Sequence, residues 1–302
     1  MSSHRIRSPA HNGWLIVDKP PGTRSTSVVR SVRSSTGCKR VGHAGTLDAP
    51  ASGVLAVAIG EATKTITAVM NGSKQYCFTV TFGSSTTTDD AEGNVLASTS
   101  RRPTNQQIQT ALQRFRGDIM QIPPVFSAIK VSGKRAHSLA REGREVTLQA
   151  RPLHVAKLEM LDRPDPDHAR FEMICGKGGY VRSIARDLGT DLGCLGHVRE
   201  LRRLRTGPFT INDCISLDSL RIIEPNELPG LLLPVEAALT DLKEYRCTAG
   251  ERERILNGNV IPLDQGLSDG EANCWVSYNA KAIALAECGD GRLRPRRIIH
   301  QS

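Results

Sequence analysis

The chain has 302 residues, 39% of them hydrophobic, which is enough length and apolar content for one large folded domain with a smaller one beside it. Its 40 Lys and Arg against 31 Asp and Glu give a net charge of +9, which favours a polyanionic partner, nucleic acid ahead of an acidic membrane surface. No apolar run approaches the roughly 20 residues of a membrane span, and the leader "MSSHRIRSPAHNG" has no apolar h-region, so a soluble, cytoplasmic protein is expected.

In chain order, residues 1–12 form a polar leader. "GWLIVDKPPG" then reads as a short buried strand ending in a Pro-Gly loop, and "STSVVRSVRSSTG" as a helix with Ser at its start. "SGVLAVAIG" and "KQYCFTVTFG" have the β-branched and aromatic content of strands, and Thr104–Gly117 the caps and polarity of an exposed helix. "RPLHVAKLEMLD" and "ARFEMICG" read as strands around a Pro-Asp-rich loop at 163–168. "YVRSIARDLGTDLG" restores a helical period, with Val181, Ile184, Ala185 and Leu188 on one face. Composition shifts at Pro225–Thr240, which puts a domain boundary at about 240, before a segment of short Gly/Pro-bounded strands. The class is α+β.

Basic residues gather at 133–144 ("GKRAHSLAREGR"), 199–207 ("RELRRLRTG") and 291–297 ("GRLRPRR"). Taken singly each is as well read as a solvated face, but three such clusters favour one extended phosphate-contacting surface. The eight cysteines are scattered without a C-x-x-C pair or a His at ligand spacing, so they read as reduced thiols. No metal or cofactor set is found.

Phosphate loops, dinucleotide fingerprints, the G-x-S-x-G elbow and H-E-x-x-H are all absent. What stands out is "VGHAGTLDAPASGVLAVAIG", where Asp48 lies between a glycine-punctuated loop and a small-apolar run. An Asp in such a place commonly closes a turn. It can also be a nucleophile that needs no base, because a carboxylate is already ionised at neutral pH. That chemistry needs restraint, which Gly42 and Gly45 offer, and charge balance, for which Arg182 in "GGYVRSIARD" is the candidate. Tyr180 beside it and Tyr76 in "KQY" are aromatics able to stack on a base.

Five ordered blocks carry a family resemblance: "DKPPG…STSVVRSVR", "KRVGHAGTLDAPASGVLAVAIGEATK", "KQYCFTVTFGSSTTTDDAEG", "PPVFSAIKVSGKRAHSLAREGRE" and "GGYVRSIARDLGTDLG…LRRLRTGPF". Through them the chain resembles the TruB family of bacterial tRNA pseudouridine-55 synthases over roughly residues 13–210. The resemblance implies an α+β pseudouridine synthase domain (13–240) around a mixed, mainly antiparallel sheet. A small β-rich, PUA-like RNA-binding module (241–302) follows by position and pattern. It implies Asp48 as nucleophile, Tyr76 stacking on the target uracil and assisting proton removal, and Arg182 pairing with Asp48. His43 would fill the space left by the flipped nucleotide, and Tyr180 and Leu201 would line the uracil pocket.

The implied reaction breaks the N1–C1′ bond of one T-loop uridine, turns the base, forms a C5–C1′ bond and removes the C5 proton, without a cofactor. Attack at C6, attack at C1′ and passage through a glycal stay open. The implied partner is tRNA, at its T-loop and acceptor stem, bound by a monomer with no obligate protein partner and no membrane. Two alternatives remain: a non-catalytic RNA-binding protein or RNA chaperone, and a pseudouridine synthase acting on another RNA. Lys19 is expected to be structural or phosphate-facing. The chain departs from the family pattern at Arg24, Ala44, Ala49, His137 and Gly179. Ala44 and Gly179 remove hydroxyls near the expected site.

Overall fold

A computed structural model describes residues 11–131, 133–223, 227–263 and 273–300; of the expected leader only His11 and Asn12 fall among them. The elements run β1 (Gly13–Lys19), α1 (Ser25–Thr36), β2 (Val41–His43), β3 (Ser52–Ile59), α2 (Ile66–Asn71), β4 (Lys74–Phe82), β5 (Ser84–Thr86), β6 (Val95–Ser98), α3 (Asn105–Leu112) and β7 (Gly117–Gln121). They continue with β8 (Lys130–Val131), β9 (Lys134–Arg135), α4 (Ala136–Arg141), β10 (Arg151–Asp165), β11 (His168–Cys175), α5 (Val181–Asp191), β12 (Gly196–Thr206), β13 (Phe209–Thr210) and β14 (Ile215–Ser216). After α6 (Leu217–Ile222) and α7 (Leu228–Leu231) come β15 (Lys243–Arg246), α8 (Ala249–Leu256), β16 (Ile261–Pro262), β17 (Cys274–Tyr278), β18 (Lys281–Gly289) and β19 (Arg292–Ile298). The chain divides into two compact units, Met1–Ala49, Gly53–Gly72 and Thr206–Ser302 in one, Pro50–Ser52 and Ser73–Arg205 in the other.

In the first unit β1 pairs antiparallel with β3 and parallel with β14, and β2 lies antiparallel on β3. The unbroken apolar run of β3 follows from burial on both faces, since side chains alternate along a strand. Leu55, Val57 and Ile59 join Leu15 and Val17 under Val28 and Val32 of α1. Val54, Ala56 and Ala58 face the other way, with Trp14, Phe209, Ala282 and Ile299. The small side chains on that face leave room for residues from the chain's C-terminal end. α1 stops at Gly37, whose φ of 64° is the left-handed cap that glycine adopts without strain.

The second unit pairs β7, β10, β11 and β4 in that order, all antiparallel, with β12 beside β4. Its core lies under α3 and α5, where Ile108, Leu112, Ile184 and Leu188 meet Phe78, Phe171 and Leu158. Three expectations need correction here. The helix expected over 104–117 ends at Leu112, and its Ile108, Ala111 and Leu112 are buried. The 163–168 loop shrinks to a turn at Pro166–Asp167, because β10 runs on to Asp165 through register shifts. Finally, the basic 199–207 stretch is mostly strand β12, and Arg203 within it is 2% exposed.

The last five strands form a sheet of their own, in the order β15-β17-β18-β19-β16. The helix α8 packed with them has no counterpart in the sequence reading, although Thr248 and Glu251 make a reciprocal capping box at its start. This sheet is bound into the first unit by side chains from the strand-following turn at Gly60–Thr65. Lys64 Nζ donates to the Ile298 carbonyl (2.7 Å), and Glu61 accepts from Lys64, Arg40 and the His300 N–H. Burial raises the Glu61 pKa, but Lys64, the His300 N–H and Arg40 together outweigh it and hold the group at about 2.

Candidate active site

Asp48 sits in the loop between β2 and β3, partly exposed, and both of its neighbours are pinned. The Ser25 hydroxyl donates to the Leu47 carbonyl (2.8 Å) and accepts the Leu47 N–H (2.9 Å). On the other side the Ala49 carbonyl accepts the Gly22 N–H (2.8 Å) and Lys19 Nζ (3.1 Å). Lys19 is 0% exposed and also donates to the Pro20 and Thr23 carbonyls, so its charge is spent on folding the loop. Of its two expected roles, structural and phosphate-facing, the structure selects the structural one. A further tie runs from the Ala44 N–H to the Ala56 carbonyl (2.9 Å), and Gly45 has a φ of 106° that a larger residue adopts only with strain. The backbone on both sides of Asp48 is thus held, which limits where its carboxylate can reach, and such restraint is what a nucleophile requires. His43, at the end of β2, stands opposite Val57 of β3 in the same unit.

The second unit holds Tyr76, Tyr180, Arg182 and Leu201. Tyr76 points to the buried face of β4 between Lys74 and Phe78, and Leu201 of β12 packs against the same apolar cluster. Tyr180 is the residue just before α5, and Arg182 lies in the first turn of that helix. Arg182 is buried, with Nη1 donating to the Thr88 carbonyl (2.9 Å), Nη2 to the Phe126 carbonyl (3.0 Å), and Nε 3.7 Å from Asp90 Oδ2. A guanidinium offers five N–H donors in one plane, so two carbonyls bound through different nitrogens fix that plane.

Several residues here escaped the sequence reading. Asp90 lies in "TTTDDAEG", which looks like an ordinary turn; its carboxylate accepts from Thr88 Oγ1 and the Glu92 N–H, which aims it at Arg182. One turn along α5, Arg186 pairs with Asp89 (3.0 Å), whose φ is 59°. Burial raises the Asp89 pKa despite the pull of Arg186. Lys74 and Arg203 are buried cations near Tyr76; burial, reinforced by Arg203, lowers the Lys74 pKa to about 8. Opposite Lys74 on β11, burial raises the Cys175 thiol to about 12, so it is an inert thiol. Nothing in a sequence marks a Lys or Arg as buried, and charge counting assigns both to the surface. Among the described residues no three His, Cys, Asp or Glu gather as a metal site, and no helix is long and apolar enough to cross a membrane.

Comparison with known proteins gives these features a context. Residues 33–181 match the model of the TruB family pseudouridylate synthase N-terminal domain, and 182–240 that of the tRNA pseudouridylate synthase B C-terminal domain. The tRNA pseudouridine synthase B of Ruegeria pomeroyi is 52% identical over 289 residues, 95% of each chain. The chain belongs to the TruB family. The Bradyrhizobium diazoefficiens tRNA pseudouridine synthase B, 44% identical over 98% of this chain and 88% of its own length, agrees with that membership. In fold, a chain of the Cbf5-Nop10-Gar1 complex superposes with a TM-score of 0.75 at 23% identity, over 95% of this chain and 85% of its own. A chain of an H/ACA RNP bound to a substrate RNA containing 2′-deoxyuridine gives 0.74 at 20% identity, over 96% of this chain and 85% of its own.

The surroundings of Ala44 and Gly179, two departures from the TruB pattern, show what occupies the space around them. Ala44 is fully buried among Val54, Ala56 and Trp14, where its methyl packs against apolar neighbours. At Gly179 a Cβ would lie 2.7 Å from Cys175 Sγ and 3.1 Å from Leu153, so those two side chains fill the space a side chain there would take.

Proposed function

We propose that this chain, a tRNA pseudouridine synthase by family, isomerises one uridine of the tRNA T-loop with Asp48 as its nucleophile. The observation that carries the reading is the framing of Asp48, with Leu47 held through Ser25 and Ala49 through Lys19 and Gly22. A protein that only binds RNA has no use for a carboxylate held so, and a negative charge there opposes phosphate. In this reading the uridine leaves its stack, Tyr76 stacks on it, Tyr180 and Leu201 bound its pocket, and His43 fills the gap it leaves. Arg182 balances the Asp48 charge; its fixed guanidinium plane suits a carboxylate partner. The reaction exchanges one glycosidic bond for another: N1–C1′ breaks, C5–C1′ forms, the C5 proton leaves and N1 takes up a proton. Every atom needed is in the uridine.

The C-terminal sheet is proposed to be a PUA-like RNA-binding module beginning at about 241, with the exposed arginines of β19 lying along phosphates of the acceptor stem. The protein is proposed to work in the cytoplasm, as a monomer without a protein partner. The test is incubation with an unmodified tRNA transcript, followed by carbodiimide treatment and primer extension. A new stop confined to the T-loop supports the reading; stops elsewhere, or none with a correctly folded transcript, contradict it.

A further inference from the structure

Tyr180 has an extended backbone, φ −110° and ψ 111°, and no side chain caps the helix that follows it. Its backbone is gripped at both polar groups by a side chain from another element. Gln121, at the end of β7, is 3% exposed; its Nε2 donates to the Tyr180 carbonyl (3.1 Å), and its Oε1 accepts the Tyr180 N–H (2.9 Å). The two bonds fix which end of the amide is which. The chain leaving Gln121 goes on to serve the same helix: the Ile122 carbonyl accepts from Ser183 Oγ (2.8 Å) and Arg186 Nη2 (2.8 Å), and the Phe126 carbonyl from Arg182 Nη2 (3.0 Å). In this run of bonds along residues 121–126, Gln121 alone contributes a side chain.

We propose that Gln121 is a positioning residue for the isomerisation, locking Tyr180 and with it the first turn of α5 that presents Arg182. It touches neither substrate nor reacting atoms and acts through Tyr180. Only a side-chain amide can do this at that reach, because it offers a donor and an acceptor side by side. Asn is shorter by one C–C bond, about 1.5 Å. Met fills the volume and offers neither bond, leaving the Tyr180 N–H without the amide oxygen and its carbonyl with the Ile184 N–H alone of the two donors seen here. An ionised Glu accepts from the Tyr180 N–H but repels the Tyr180 carbonyl, whereas a protonated Glu carries the missing donor.

That last property gives the test, which rests on the reading that Tyr180 and Arg182 serve the uridine. The full-length Gln121→Glu variant is assayed on tRNA transcript from pH 8 to pH 5.5 beside wild type. At pH 8, kcat falls at least about tenfold, the scale expected of misplaced site groups, while KM stays within about threefold. Burial and the Tyr180 carbonyl beside it favour the protonated form of the introduced acid against the pull of the nearby arginines, so the deficit shrinks as pH falls. Arg151 opposite on β10, and Arg182 and Arg186 on α5, stay charged throughout, so the change relative to wild type reports the new carboxyl.

Fluorotyrosine labelling supplies a second readout, because the chain has only 4 tyrosines, Tyr76, Tyr180, Tyr245 and Tyr278. The signal assigned by Tyr180→Phe moves in Gln121→Glu at pH 8 and returns at pH 5.5, while those of Tyr245 and Tyr278 stay put. Gln121→Met covers the case in which the Glu variant does not fold, and shows the same kcat loss with no recovery at low pH. An unchanged kcat in either variant at pH 8, a Glu deficit independent of pH, or all four signals moving together overturns the proposal. Full activity in Arg182→Lys and Tyr180→Phe would instead overturn the reading of the α5 start as part of the site, with the Tyr180 signal still deciding the clamp.

Discussion

The Asp48 loop and strand β19 use charge in opposite ways. In the loop, one carboxylate is held between two residues whose backbones are pinned by Ser25, Gly22 and Lys19. In β19, Arg292, Arg294, Arg296 and Arg297 stand exposed, and the partners seen for Arg294 and Arg296 are surface carboxylates, Asp290 and Glu287. Bond making needs a fixed geometry, whereas attraction to phosphate needs only positive charge within reach. Substitutions in the two regions should therefore separate rate from affinity.

The largest effect that sharpens this contrast is expected at Arg182. Arg182→Lys keeps the charge but cannot span the Thr88 and Phe126 carbonyls and a carboxylate together, so kcat should fall by at least about a hundredfold with little change in tRNA affinity. Single-turnover rates with transcript check it; a rate near wild type would remove Arg182 from the chemistry. Next comes Ser25→Ala, which strips both bonds from Leu47 without touching Asp48. It should lower kcat about tenfold and destabilise the fold by about 1–3 kcal/mol, the cost of leaving buried backbone groups unpaired. Thermal unfolding and turnover measured on one preparation separate the two losses.

The opposite pattern is expected on β19. Replacing Arg292 and Arg297 together by Ala should leave kcat unchanged and reduce the slope of log affinity against log salt by about 0.7–0.9 for each phosphate that is no longer neutralised. An unchanged slope would assign these arginines to a solvated face. Point substitution suits this question better than deletion, because Ala282 and Ile299 are buried with Trp14, Ala56 and Phe209, and deletion would strip that core.

Much of this architecture was legible, and the failures have physical causes. β1, α1, β3 and α5 could be read because each pairs a periodic apolar pattern with a clear stop such as Pro20–Gly22 or Gly37. β12 could not, since its arginines read as surface while Arg203 is buried. β10 outran its pattern because register shifts carry the strand through residues whose composition says loop. In the candidate site, the residues alone left Asp48 open between turn former and nucleophile, and the family blocks favoured the second; Asp90 and Gln121 act through partners 92 and 59 residues away in sequence, Arg182 and Tyr180, and no local spacing encodes such pairs. Glu61 is a similar case, a surface-type residue buried between Lys64, Arg40 and the His300 N–H.

The smallest effect concerns that tie. With a folded pKa of about 2 below an ordinary 4.5, ionised Glu61 contributes at most about 3 kcal/mol, present above pH 4.5 and lost as pH falls from 4.5 through about 2. Glu61→Gln should therefore be less stable than wild type at pH 6, with the gap closing towards pH 2. Denaturant unfolding at several pH values checks this, and a gap independent of pH would contradict it. Turnover at pH 7 should change little, since the tie is away from both Asp48 and α5 in sequence.

Asp48→Asn asks the central question most directly, because the amide keeps the shape of the carboxylate and removes its nucleophilic oxygen. The measurement is pseudouridine formed in tRNA transcript by saturating enzyme, with the affinity for that transcript determined on the same preparation. The account predicts no detectable product, less than about a thousandth of the wild-type rate or roughly 4 kcal/mol of barrier, with affinity within about threefold. Turnover above that level in the folded variant, confirmed by mass analysis to carry Asn, would contradict the assignment of Asp48 as nucleophile.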